Sequence, residues 1–189
     1  SRVEELGFLR KLLNQCRDDL TREGIPHAGD VRVGVLVEVP AVAFAIKRIV
    51  RMVDFISIGS NDLTQYLMAA DRDNPRVAHL CQPYNPILFR LVRRILRAAS
   101  EAGKPVTICG EMAGEPRCLL PWLGLGLRRF SMAAALLPSV KELLRRVTLE
   151  DAKEAATAVC RMSTFKAVRR CLTNRTHEIM PDLNLIEGD

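Results

Sequence analysis

The chain has 189 residues, room for one domain with a sizeable core, and is 48% hydrophobic but only 5% aromatic. Its net charge of +6 favours anionic ligands in general, but the basic stretches carry no interleaved aromatics, so no nucleic-acid partner is expected. No apolar run reaches the roughly 18 residues of a membrane span, and the N-terminal stretch lacks a signal-peptide layout, so no membrane contact and a cytoplasmic location are expected.

Residues 3–22 predict a helix, with Leu6, Leu9, Leu13, Cys16 and Leu20 at helical spacing. It opens without a cap, as if cut from something longer. Residues 24–30 read as a loop. Residues 31–39, V-R-V-G-V-L-V-E-V, read as a buried strand that ends at Pro40, and Pro40 suits the first turn of a helix over 41–51. Phe55, Ile56 and Ile58 form a second short strand. Gly59 breaks it, Ser60, Asn61 and Asp62 read as a tight polar turn, and a helix follows to about residue 70. Residues 71–85 form a long polar connection, of the kind that often carries function. A strong helix with a basic face is expected over 86–102, then a strand over 105–109 stopped by Gly110. Gly114 introduces a helix over 115–123, and 127–132 is a fourth strand. Helices over 138–147, 149–161 and 164–172 complete the pattern, and 174–189 reads as a loose, polar tail.

The order is one helix, then strand–helix four times, then further helices. Such alternation with short loops predicts an α/β fold with a parallel sheet and right-handed crossovers. Four such units are half of an eight-stranded (β/α)8 TIM barrel, so a partial barrel with extra C-terminal helices is expected. The six cysteines show no C-x-x-C spacing, and no Cys/His cluster has zinc-site spacing. His27, His79 and His177 fall in loops or the tail, with no Ser-His-Asp order.

In parallel α/β proteins ligands bind beyond the carboxyl ends of the strands. Here those ends fall near Glu38, 59–62, 109–111 and 131–132. A helix start favours an anion, and Asp62 beside one calls for a cation between them. Ser60, Asn61 and Asp62 acting only as helix caps is the competing reading. Glu38 closes an apolar strand, where an unpaired carboxylate is costly. It either pairs with an arginine or, with Asp62, forms a two-carboxylate Mg²⁺ site completed by ligand oxygens. Arg72 either forks onto a phosphate or pairs with Asp71 or Asp73 at the surface. Cys109 is either inert packing or a proton donor and acceptor on the rim, with Glu111 to orient it or its water.

Taken together, the stretches V-G-V-L-V-E-V-P-A (33–41), D-F-I-S-I-G-S-N-D-L-T-Q-Y (54–66), A-A-D-R-D-N (69–74), H-L-C-Q-P-Y-N-P (79–86), I-C-G-E-M-A-G (108–114) and L-G-L-G-L-R-R-F-S-M (123–132) stand in fixed order. They resemble the C-terminal half of the phosphoenolpyruvate-binding barrel of the phosphoenolpyruvate–protein phosphotransferases. These are enzyme I of the bacterial sugar phosphotransferase system and its nitrogen-related paralogues. Pyruvate phosphate dikinase and phosphoenolpyruvate synthase share the E-x-P, G-x-N-D-L-T-Q and C-G-E elements, whereas D-R-x-N and Q-P-x-x-P favour enzyme I. The resemblance covers roughly residues 3–170, and the domain is placed at 1–173 with a tail at 174–189.

The resemblance implies Mg²⁺ held by Glu38 and Asp62, and phosphate held by Asn61 and Arg72, with Asp62 also on the substrate side. It implies that Cys109 is the acid/base thiol that protonates the enolate carbon as pyruvate forms. Phosphate then passes to a histidine on a separate domain and on to the phosphocarrier protein of the system, in an enzyme that works as a homodimer. Two departures are expected to matter. Ser60 stands where the family usually has Thr, a mild change. The histidine domain and the first half of the barrel are absent, so this chain alone is expected to make no pyruvate at a useful rate. A non-catalytic remnant serving as a binding or dimerisation module, and the C-terminal part of a dikinase or synthase, are the other readings.

Overall fold

A computed structural model describes residues 2–181 of the chain. Helix α1 (Val3–Arg22) forms as the apolar spacing predicts, but none of its residues is fully buried, and Phe8, Leu9 and Leu12 face solvent. It is tied down instead by Arg10, whose Nε donates to Met52 O at 2.9 Å and whose guanidinium lies 3.7 Å from Asp54. Its start is held by the Glu5 carboxylate, which accepts from Arg2 N–H at 2.9 Å.

The strand expected over 31–39 is confined to β1 (Gly34–Val37). The reason is its partner. Strand β2 (Phe55–Gly59) begins opposite Gly34, so residues before 34 have no ladder to join, and Val33 N–H bonds the Asp54 side chain at 2.7 Å instead. Pro40 lacks the N–H to extend the strand and opens α2 (Pro40–Ile49) at its first turn. The polar turn expected at Ser60–Asp62 does not exist. Gly59 is both the last strand residue and the N-cap, and α3 (Ser60–Met68) starts at once. Ala69 ends it in the left-handed region (φ 51°). The long connection follows, with one 3-10 turn at Ala78–Leu80.

Helix α4 (Pro86–Glu101) is capped by Asn85, whose side chain accepts from Ile87 N–H, and buries one full apolar face. Strand β3 (Val106–Cys109) leads into α5 (Glu111–Gly114) and α6 (Pro116–Gly124). Gly114 therefore closes a short helix, and Glu115 caps the next one. Strand β4 is only Arg129–Phe130, shorter than the expected 127–132, because it pairs on one side alone. After a 3-10 turn at Ala134–Leu136 come α7 (Leu137–Arg146), α8 (Leu149–Arg161) and α9 (Phe165–Ile179). Helix α9 runs well past the expected end at 172. Thr176 and Met180 are buried, so the tail expected from 174 is helix up to Ile179; residues 182–189 lie outside the described range.

All four strands are parallel and lie in chain order β1-β2-β3-β4, the arrangement of an arc of a βα barrel. Val37, Ile56, Ile58 and Ile108 face the helices and are fully buried. On that side Phe89 of α4 and Trp122 of α6 meet with ring centroids 4.5 Å apart, at the centre of the core. The opposite sheet face is open: Leu36 is 47% and Phe55 39% exposed. Strand alternation puts Glu38 on this open face, two residues after Leu36. Among the described residues no helix is long and apolar enough to cross a membrane.

Candidate functional site

The register aligns the carboxyl ends of β1, β2 and β3. Val37 pairs with Ile58, and Gly59 pairs with Cys109. A Cβ added at Gly59 would stand 2.6 Å from Glu38 Cγ and 2.7 Å from its Oε1. Glu38 therefore lies directly over the Gly59 backbone, and a glycine is what makes room for it. The Glu38 carboxyl is held above the ordinary carboxylate range, first by burial, then by the charge of Asp62 and a hydrogen bond to it. Among the described residues no cation pairs with Glu38, so the expected alternative of an arginine partner is not what the fold provides. Its neighbour is a second carboxylate.

Asp62 sits in the first turn of α3, and its Oδ1 lies 3.8 Å from Arg72 Nη2. Arg72 thus reaches back from the long loop to the rim rather than pairing with Asp71 or Asp73. Asp71 instead accepts from Asp73 N–H at 2.9 Å. Gln65 steadies the arginine, its Oε1 accepting from Arg72 N–H at 3.2 Å.

Ser60, Asn61 and Asp62 do not cap α3, because the N-cap is Gly59 and there is no side-chain cap hydrogen bond. Ser60 Oγ donates to Cys109 O at 2.8 Å, which stitches α3 to the end of β3. Asn61 Oδ1 accepts from Glu111 N–H at 3.0 Å, and its Nδ2 donates to Glu111 Oε1 at 3.3 Å. One amide N–H of Asn61 is left for a ligand. Gly110, at φ 92°, turns the chain between them; a Cβ there would meet Ser60 Oγ at 2.5 Å and Asn61 Oδ1 at 2.7 Å.

Cys109 is half-buried on the open face of the sheet. Its thiol donates to Ile58 O at 3.4 Å, with Ser57 Oγ 3.8 Å away. Beside the carboxylates, a pocket of about 200 Å³ opens between α3, α5 and the long loop, lined by Ser60, Asn61, Thr64, Arg72, Cys81 and Glu111. Asn61 and Arg72 join it to the rim. Among the described residues no three His, Cys, Asp or Glu side chains gather as a metal site. Two carboxylates that repel one another, with no protein cation over Glu38, still form a donor set that a hard divalent ion fits if a ligand supplies further oxygens.

One supporting pair was not anticipated from the sequence. Arg117 is only 7% exposed, and its Nε donates to Glu115 Oε1 at 2.6 Å while its guanidinium lies 5.1 Å over the Tyr84 ring. Glu115 lines the pocket and Tyr84 belongs to the loop that closes it, so the pair fastens that loop to α6. The available signal was an arginine inside the apolar run C-terminal to Glu115.

Residues 1–149 match the family model described as PEP-utilising enzyme, PEP-binding domain. The chain is similar to multiphosphoryl transfer protein 1 of Escherichia coli K12, 43% identical over 176 residues, which are 93% of this chain and 21% of that protein. It is 38% identical over 170 residues to the phosphoenolpyruvate-protein phosphotransferase of Buchnera aphidicola subsp. Baizongia pistaciae, which are 90% of this chain and 30% of that protein. It is 40% identical over 166 residues to the phosphoenolpyruvate-protein phosphotransferase of Geobacillus stearothermophilus, covering 88% and 29%. The chain therefore spans between a fifth and a third of these curated relatives. With four-fifths of its length inside the family model, the chain belongs to the PEP-binding domain family of the PEP-utilising enzymes.

Proposed function

We propose that this chain supplies the cation- and phosphoenolpyruvate-binding part of a phosphotransferase site, in which phosphate moves from phosphoenolpyruvate to a histidine on a separate domain and pyruvate is released. The observation that carries the reading is the Glu38–Asp62 carboxylate pair, with Glu38 over Gly59 and Arg72 beside Asp62. Glu38 and Asp62 would hold Mg²⁺, which when bound neutralises charge on the ligand's carboxylate and phosphoryl oxygens. Arg72 leaves its weak, exposed pair with Asp62 and forks onto the phosphate. The free amide N–H of Asn61 and the uncapped first turn of α3 supply further donors to the same group. Cys109 carries the proton at the enol carbon, and Ser57 and Ile58 O hold the thiol on the open face.

Calorimetric titration of the chain with phosphoenolpyruvate, with and without Mg²⁺, tests the reading. Binding is expected only with the metal, and Asp62→Asn is expected to weaken it about tenfold, the loss of one ligand charge. Equal affinity in wild type and Asp62→Asn would remove the metal role. In a longer protein that contains the histidine domain, Cys109→Ala should slow pyruvate release more than phosphohistidine formation, because the thiol acts on carbon. Rapid-quench measurement of both products checks this, and equal slowing would take Cys109 out of the proton step.

The non-catalytic alternative has two observations in its favour. The open sheet face and the edge of β1, unpaired among the described residues, suit a dimerisation module.

A further inference from the structure

The outer face of α4 carries a dense row of positive charge, away from the rim. Arg90, Arg93, Arg94 and Arg97 stand at i, i+3, i+4 and i+7, one row along the helix. With Lys47 of α2 they line a groove of about 850 Å³ between the two helices. The groove continues into a second depression of about 610 Å³ at the amino-terminal ends of the strands, where Lys104, Arg128 and Arg129 add to the row. Glu101 is the one carboxylate lining either part, among the described residues.

Elsewhere many arginines are balanced by acids: Arg22 by Asp19, Arg117 by Glu115, Arg146 by Glu142, Arg175 by Glu154. On α4, among the described residues, only Arg97 has an acidic partner, Glu101 at 3.1 Å. The neighbouring cations repel one another along the helix, and one carboxylate does not offset that repulsion. Two of the guanidiniums are nevertheless fixed. Arg90 Nη2 donates to Met162 O at 3.0 Å, and Arg94 Nε donates to Ala43 O at 3.2 Å. Backbone carbonyls orient these groups without neutralising them, so the row is both charged and preorganised.

We propose that this groove binds a polyphosphate chain. The four arginines span about 10 Å of helix, so one anion that satisfies them carries several charges in line. Guanidinium forks favour oxygens of phosphate, taken two at a time. A concave site of several hundred Å³ suits a small ligand rather than a flat protein face. The polyphosphate is either free or part of a nucleotide. Phe44 stands 69% exposed under Arg94, ring centroid 5.4 Å from its guanidinium carbon, and offers a base one stacking surface.

Calorimetry of the chain with inorganic tripolyphosphate and with ATP, at about 0.15 M salt, tests the proposal. Arg93→Ala/Arg97→Ala is expected to weaken both ligands about tenfold or more, in wild type and in an Arg72→Ala background alike, while Lys141→Ala/Arg145→Ala on α7 changes neither. Circular dichroism melting confirms that the variants fold, and Arg97→Gln serves if the double variant does not. ATP binding tighter than tripolyphosphate, with the difference lost in Phe44→Ala, identifies a nucleotide; equal binding identifies the free chain. No binding at that salt, equal losses in the α7 control, loss through Arg72 alone, or tighter binding of poly-glutamate or a single-stranded oligonucleotide would each overturn the proposal.

Discussion

Among single residues, the site depends most on what is missing at position 59. The atoms nearest a Cβ there all belong to the Glu38 side chain, at 2.6–3.1 Å, and that side chain is free to give way. Gly59→Ala should therefore leave the fold nearly intact, since φ at 59 is −84° and suits any residue. Glu38 must swing away from Asp62, and divalent-cation binding should fall about tenfold with little change in Tm. A Gly59→Ala protein that melts normally and binds the metal as before would show that Glu38 over Gly59 is packing alone. Glu38, Asp62, Arg72 and Cys109 were legible in the sequence because the first two and the thiol are polar groups at the ends of apolar runs, and the arginine opens a long polar loop. That Asn61 is engaged by Glu111, or that Arg72 turns to Asp62, was not legible. Those facts depend on contacts 50 and 10 residues apart, which local pattern does not encode.

Among helices and strands, the structure was legible where periodicity and punctuation agreed. Helix α8 matches its expected bounds because Thr148 caps it and Asp151 answers three residues on, with Thr148 N–H donating to Asp151 Oδ2 at 3.0 Å. The first and fourth strands were overread, because an apolar run sets no limit on a strand whose length depends on its partner, whereas β2 lies where it was expected. Helix α9 was underread, because residues 173–178 are polar, and the apolar residues that anchor its end, Ile179 and Met180, come only after them. The α8 cap also carries a pH signature. Hydrogen bonds from the Thr148 side chain and backbone hold the Asp151 carboxyl below its ordinary 3.8. A depressed carboxylate stabilises the fold above that value and loses its contribution as pH falls through the folded pKa. Asp151→Asn should therefore show less acid destabilisation than wild type between about pH 5 and 2, with urea midpoints as the measurement. Parallel curves would mean the carboxylate does not contribute through its charge.

Across the molecule as a whole, the sheet is finished on one side only. Helices cover one face, while Leu36 and Phe55 remain open on the other and, among the described residues, β1 pairs on one side only. Such an edge pairs readily with another chain. The chain in solution should therefore self-associate, and Leu36→Lys should raise the monomer fraction in sedimentation velocity without lowering Tm. Sedimentation unchanged by Leu36→Lys would move the contact elsewhere. The open face is also the one that carries Glu38 and Cys109, so association through it and ligand access compete for the same surface. The α4 groove lies on the covered side and is free of that competition.

The functional reading rests on Glu38 and Asp62 holding a divalent cation together with phosphoenolpyruvate. Electron paramagnetic resonance of Mn²⁺ reads that state itself, because free and bound Mn²⁺ give distinct signals. Phosphoenolpyruvate should strengthen Mn²⁺ binding to the wild-type chain about tenfold or more, and Glu38→Gln should abolish that coupling. Mn²⁺ binding indifferent to phosphoenolpyruvate, or coupling that survives in Glu38→Gln, would refute it.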